Sequence, residues 1–133
     1  MKAIIRACMM LIGTTMLLGG CNGPDPIEGQ NTYTICNEYK DSIKVLFQYS
    51  VKSQDIDSTI IAPQQTHTIS TLIGGISEWS PNYVFDWFVF LSANNDTLLI
   101  MDVVNDDEWT LVDSIADYGY KVSYYHWLYK FNK

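Results

Sequence analysis

The chain has 133 residues, with 15 acidic against 8 basic side chains and a formal net charge of −7. Nucleic acid calls for a basic face and anionic lipid heads attract polybasic segments, so neither is an expected partner. The length fits one domain, and a composition of 47% hydrophobic and 14% aromatic residues supplies enough apolar mass for a core at this size.

Residues 1–20 have the three parts of a secretory signal. Lys2 and Arg6 give a positive start with no acidic residue, residues 7–18 form an apolar run, and Gly19 and Gly20 precede Cys21. The run falls short of the roughly 20 residues that span a hydrocarbon core, so it reads as a removable signal and not as a membrane helix. Leu18-Gly19-Gly20-Cys21 resembles the lipobox of bacterial lipoproteins, an aliphatic residue and two small ones before cysteine. The resemblance implies cleavage by the lipoprotein signal peptidase just before Cys21, a diacylglycerol on its thiol and acylation of its new amino group. Two or more acyl chains hold a protein stably where one is marginal. Asn22 stands where, in well-studied Gram-negative sorting, an Asp retains lipoproteins in the inner membrane, so the resemblance points to the outer membrane. Without Lys2 and Arg6 the remainder carries six basic and fifteen acidic side chains.

Residues 22–31 hold two prolines, two glycines and no apolar periodicity, so residues 21–31 read as a lipidated cysteine followed by a flexible tether. Residues 32–133 read as a single β-rich domain. Residues 32–37 favour a strand, which places Cys36 in it. Cys8 leaves with the signal and Cys21 is acylated, so Cys36 stands alone; no internal disulfide framework is expected, and a buried inert thiol is. Residues 42–51 alternate, with Ile43, Val45, Phe47, Tyr49 and Val51 on one face, the pattern of a half-buried antiparallel strand. Residues 58–62 and 66–71 are two short strands around Pro63-Gln64-Gln65.

Residues 72–83 form the longest irregular stretch after the tether and carry Gly74-Gly75, Trp79, Pro81 and Tyr83. Long loops in compact domains are often functional, and exposed aromatics anchor interfaces, so Trp79 and Tyr83 are the candidate ligand-binding residues. Residues 84–92 and 97–104 are apolar runs broken by Asp86 and Asp102. Asn94-Asn95 suits a two-residue turn between them, a register that pairs Phe90 with Leu99, Phe88 with Met101 and Trp87 with Asp102. Apolar residues on both faces predict a central hairpin with its outer face under a helix or loop. Asn105-Asp106-Asp107-Glu108 resembles a capping box, and Trp109, Val112, Ile115 and Ala116 follow at helical spacing before Gly119, which predicts a helix over 106–118. The last strand, 120–131, changes apolar parity midway, which a β-bulge near Tyr124-Tyr125 or burial on both faces would reconcile.

The expected fold is an immunoglobulin-like antiparallel β-sandwich of about seven strands with one short helix before the last strand; the alternative is an α+β fold, an antiparallel sheet packed by one helix. His67 and His126 lack partners at ligand spacing, so no metal site is expected, and no motif implies a cofactor or a catalytic residue. Asp86 and Asp102 are the carboxylates a small hydrolase would need, the weakest of the functional readings. Beyond the lipobox, the chain is similar in type to small lipoproteins of unassigned role in Gram-negative envelopes. The leading expectation is a non-enzymatic, membrane-anchored module that binds an envelope protein or a glycan. The alternative is a structural or assembly subunit of an outer-membrane complex.

Overall fold

The computed structural model describes residues 28–50, 55–74, 77–117 and 122–133. The signal, the lipobox with Cys21, most of the tether and Val51 lie outside the described residues. The described chain is mainly β and forms a two-sheet sandwich. In order, the elements are β1 (Glu28–Asn37), β2 (Ile43–Tyr49), β3 (Ile56–Ile61), β4 (Thr66–Ile73), a one-turn helix α1 (Pro81–Val84), β5 (Phe85–Ser92), β6 (Thr97–Met101), β7 (Trp109–Asp117) and β8 (Val122–Phe131). A single 3-10 turn, Asp106–Glu108, precedes β7. One sheet runs β4-β1-β8-β7 and the other β3-β2-β5-β6. All neighbours are antiparallel except β1 and β8, which pair in parallel from Glu28↔Val122 to Asn37↔Phe131 without a shift in register.

Period-two patterning explains why the sheets face each other. Ile43, Val45 and Phe47 of β2 point inward, as expected, against Phe85, Phe88 and Phe90 of β5. From the opposing sheet come Tyr33, Ile35, Trp127, Tyr129 and Phe131. The core is aromatic. Phe90 stacks on Phe131 with centroids 4.8 Å apart, and Phe85 lies nearly parallel to Trp109 at 6.3 Å. Such pairs add to their area burial.

Several expectations are corrected. Of the helix predicted over 106–118, residues 106–108 form one 3-10 turn and residues 109–117 a strand, and Tyr118 lies outside the described residues. The cap itself forms, since the Asn105 side chain accepts from the Asp107 N–H at 3.1 Å. An isolated helix of that length is marginal in water, however, while Thr110, Val112 and Ile115 are β-branched and β8 offers a full ladder of partners. The short helix lies before β5, not before the last strand. Neither account of the parity change in the last strand holds: Tyr124 and Lys130 are exposed, so it is not buried on both faces, and the bulge is in the partner strand, between Leu111 and Asp113. β8 keeps one parity throughout, with Ser123, Tyr125, Trp127, Tyr129 and Phe131 all buried. β1 also begins at Glu28, so residues 28–31, expected in the tether, belong to the sheet.

The β5–β6 hairpin pairs Phe90 with Leu99 and Phe88 with Met101, as expected, but Asp102 lies beyond the ladder. Its turn is not a two-residue one. The Asn95 N–H donates to Ser92 O at 2.9 Å, Asn95 takes φ 65°, and a shift between Phe90 and Leu91 absorbs the extra residue. β5 is central but β6 is an edge, and no helix of the described residues lies over their outer face. Cys36 is half-buried on the outer face of its sheet, not in the core, because it has the opposite parity to Tyr33 and Ile35.

Candidate functional site

Two buried side chains of β1 fix the loop that carries Trp79 and Tyr83. Asn31 is fully buried and spends its amide on the loop backbone: Nδ2 donates to Ser77 O at 3.1 Å, and Oδ1 accepts from the Trp79 N–H at 2.9 Å. The amide thus supplies the donor and acceptor that a neighbouring strand would offer. Tyr33, also fully buried, donates its hydroxyl to Trp79 O at 2.6 Å. Burial pushes the Tyr33 phenol well above its usual range, and the carboxylates of Asp106 and then Glu78 push it further. It remains a neutral donor.

The chain then turns into α1. Pro81 occupies the first helical position, where a missing N–H costs nothing, and is buried. The Tyr83 N–H donates to Ser80 O at 3.0 Å, and Ser50 Oγ donates to Tyr83 O at 3.1 Å. The Asn82 N–H donates to Asp106 Oδ1 at 2.8 Å, which ties the loop to the turn before β7. Trp79 is half-buried against the core, whereas Tyr83 is 57% exposed. Their centroids are 6.3 Å apart with planes tilted by 47°. The structure therefore brings the two expected residues together on a backbone held at several points. Gly74 N–H donates to Gly29 O at 2.9 Å, so this loop sits at the end of the sandwich where β1 begins.

The other sequence candidates are separated. Asp86 and Asp102 are both exposed, one at the register shift opposite Gln48 and Tyr49 and the other past the end of β6. His67 is exposed on β4, and His126 is half-buried on β8. Among the described residues, no three side chains able to hold a metal ion come together.

Two surfaces escaped the sequence reading. On the outer face of the β3-β2-β5-β6 sheet, Ser58, Leu46, Val89 and Ile100 line up across the four strands, flanked by Ile56, Ile60, Leu91 and Trp87. Ile56, Ile60 and Ile100 are each more than half exposed. On the other sheet, the outer face is polar. His126 Nε2 and Thr34 Oγ1 are hydrogen-bonded at 2.8 Å, and Thr34 is 3% exposed with its hydroxyl 3.4 Å from that of Thr68. Asp113 lies opposite His126 in the β7–β8 register, and Thr32 lies opposite it on β1. The Thr34 side chain is almost wholly buried, and its bond to Nε2 helps to orient the imidazole ring. The parallel β1–β8 pairing assembles this face from residues about 90 apart in sequence, and a single sequence carries no local signal of such pairing.

The chain has no match among protein-family models, curated proteins or solved structures.

Proposed function

We propose that the protein is an outer-membrane lipoprotein, anchored through Cys21, whose domain is a non-enzymatic module binding a protein partner through Trp79 and Tyr83. The supporting observation is the exposure of Tyr83 on a loop that Asn31, Tyr33 and Ser50 hold in place. A pre-ordered aromatic loses little side-chain freedom on binding, and Trp and Tyr are enriched among residues that dominate interface energy. The 47° tilt between the rings favours a protein over a glycan here, because the pair presents a notch and not a flat platform. The test replaces Tyr83 with a photo-crosslinking phenylalanine derivative in the full lipidated chain. A discrete cross-linked adduct in intact cells, lost in a Cys21→Ala background, is expected. Only diffuse or no adducts would sink the reading.

A second reading, an assembly subunit, is favoured by the apolar row Leu46, Val89 and Ile100 on the open sheet face. Uncovered apolar sheet faces of this kind mark interaction surfaces. Ile100→Lys would then release the protein from a membrane complex while Tyr83→Ala would not. Co-migration with a complex in native gels of detergent extracts separates the two readings.

A further inference from the structure

We propose that the polar outer face of the β4-β1-β8-β7 sheet is a second binding site, one that takes a neutral saccharide across Tyr124. The site is separate from the Trp79–Tyr83 loop and does not depend on it. Two depressions lie side by side on this face. One, about 210 Å³, is lined by Gln30, Thr32, Asp113, Tyr124 and His126 among others. The other, about 230 Å³, is lined by Gly29, Gln30, Ile73 and Tyr124. Gln30 and Tyr124 belong to both, so they form the ridge between two adjoining hollows. Each hollow is smaller than the few hundred Å³ of a drug-sized pocket and suits a single sugar ring.

The chemistry around the ridge matches a polyhydroxylated ligand. Tyr124 is 40% exposed, against nearly complete burial of the alternate residues Tyr125, Trp127 and Tyr129 on the same strand. An exposed aromatic ring on a sheet face offers a surface on which the C–H face of a sugar stacks. Around it, Asp113 is an exposed carboxylate able to accept from two neighbouring hydroxyls. Gln30 spends Nε2 on Thr32 Oγ1 at 3.1 Å, which leaves its carbonyl oxygen as an acceptor. His126 engages Nε2 with the buried Thr34 hydroxyl at 2.8 Å, so the ring is held and Nδ1 is the nitrogen left for a ligand. Such fixed groups carry a lower ordering cost on binding.

Charge narrows the class. Among the described residues, the lining includes one carboxylate and no lysine or arginine, and the sequence after residue 20 carries fifteen acidic against six basic side chains. Uronic or phosphorylated sugars would meet like charge, whereas neutral hexose or N-acetylhexosamine units would not. The shared ridge suits two or more consecutive units.

The experiment uses the full chain in detergent micelles, titrated with chitotetraose, cellotetraose and maltotetraose, with tetragalacturonate as the charged comparison. Calorimetry and two-dimensional NMR are the readouts. The expected result is binding of at least one neutral tetrasaccharide, with shifts centred on Tyr124 and His126. Tyr124→Ala and Asp113→Ala should each weaken it at least about tenfold, while Trp79→Ala leaves it unchanged. Both substituted residues are on the surface, and unchanged thermal unfolding of each variant confirms that its loss is local. No saturable binding of any neutral probe up to about 10 mM, equal binding by Tyr124→Ala, or preference for tetragalacturonate would each overturn the proposal.

Discussion

Asn31 is the residue on which the candidate loop depends most directly. Its side chain is wholly buried and both of its amide atoms are bonded to loop backbone. Asn31→Ala would leave the part-buried Trp79 N–H and the Ser77 carbonyl without these partners, at a cost of roughly 1–3 kcal/mol in all, less where water reaches them. We expect a lowered denaturation midpoint together with faster hydrogen exchange at the Trp79 amide; unchanged exchange there would show that the latch is elsewhere. Tyr33 acts on the same loop and gives the protein an alkaline limit. Its phenol has a folded pKa raised above the unfolded value of about 10, by burial first and by Asp106 and Glu78 after it. Tyr129 is raised in the same sense, by burial and then by Glu108. A raised phenol contributes stability that is intact below pH 10 and is lost as pH climbs beyond it, because the unfolded chain ionises first. Unfolding midpoints measured from pH 8 to 12 should hold and then fall above about 10. Tyr33→Phe should flatten that fall and cost about 1 kcal/mol at neutral pH through the lost bond to Trp79 O.

At the scale of elements, strands with one inward parity were legible and those set by distant partners were not. The alternation Ile43, Val45, Phe47 placed β2 on the correct face, and the β5–β6 pairing was read to the residue at Phe90 and Phe88. β7 was misread because its local signals are those of a helix: a real cap at Asn105, three acidic residues in the first turn, and apolar residues three and four apart. The ladder from Trp109↔Tyr129 to Asp117↔Val122 outweighs them. The same error hid Asp113, which a helix would have placed far from His126, and with it the polar face. That Trp79 and Tyr83 lie together in an irregular stretch was legible because punctuation by glycine and proline isolates it; their anchors, Asn31 and Tyr33, were not, since an asparagine in a tether-like stretch gives no sign of burial. The aromatic core joins the two sheets through β5. Phe90→Ala there should cost about 3–5 kcal/mol, the range for a large aromatic deleted from a packed core, measured by urea unfolding with an unchanged slope.

At the scale of the whole molecule, the start of β1 and the Trp79–Tyr83 loop share one end of the sandwich. Six residues lie between Cys21 and Glu28, so the seven steps of chain span at most about 25 Å. If the anchor we propose holds, this end of the domain is the one tethered near the membrane, within reach of a protein partner held at the same surface. Asp106, bonded to the Asn82 N–H, places a carboxylate beside the loop that would repel anionic lipid heads. A Cys21→Ala chain should therefore lose its partner even where its purified domain retains full stability, which fractionation and calorimetry would check together. The parallel pairing of β1 with β8 has a mechanical consequence as well. Because the two strands run the same way, Glu28 and Phe131 stand at opposite ends of a ladder of ten paired residues. A pull between the start of the domain and its C-terminus loads those hydrogen bonds side by side, in shear, and not one after another as in peeling a hairpin. A protein held at its front and tugged from its tail would resist as a clasp does, yielding only when the whole ladder slips.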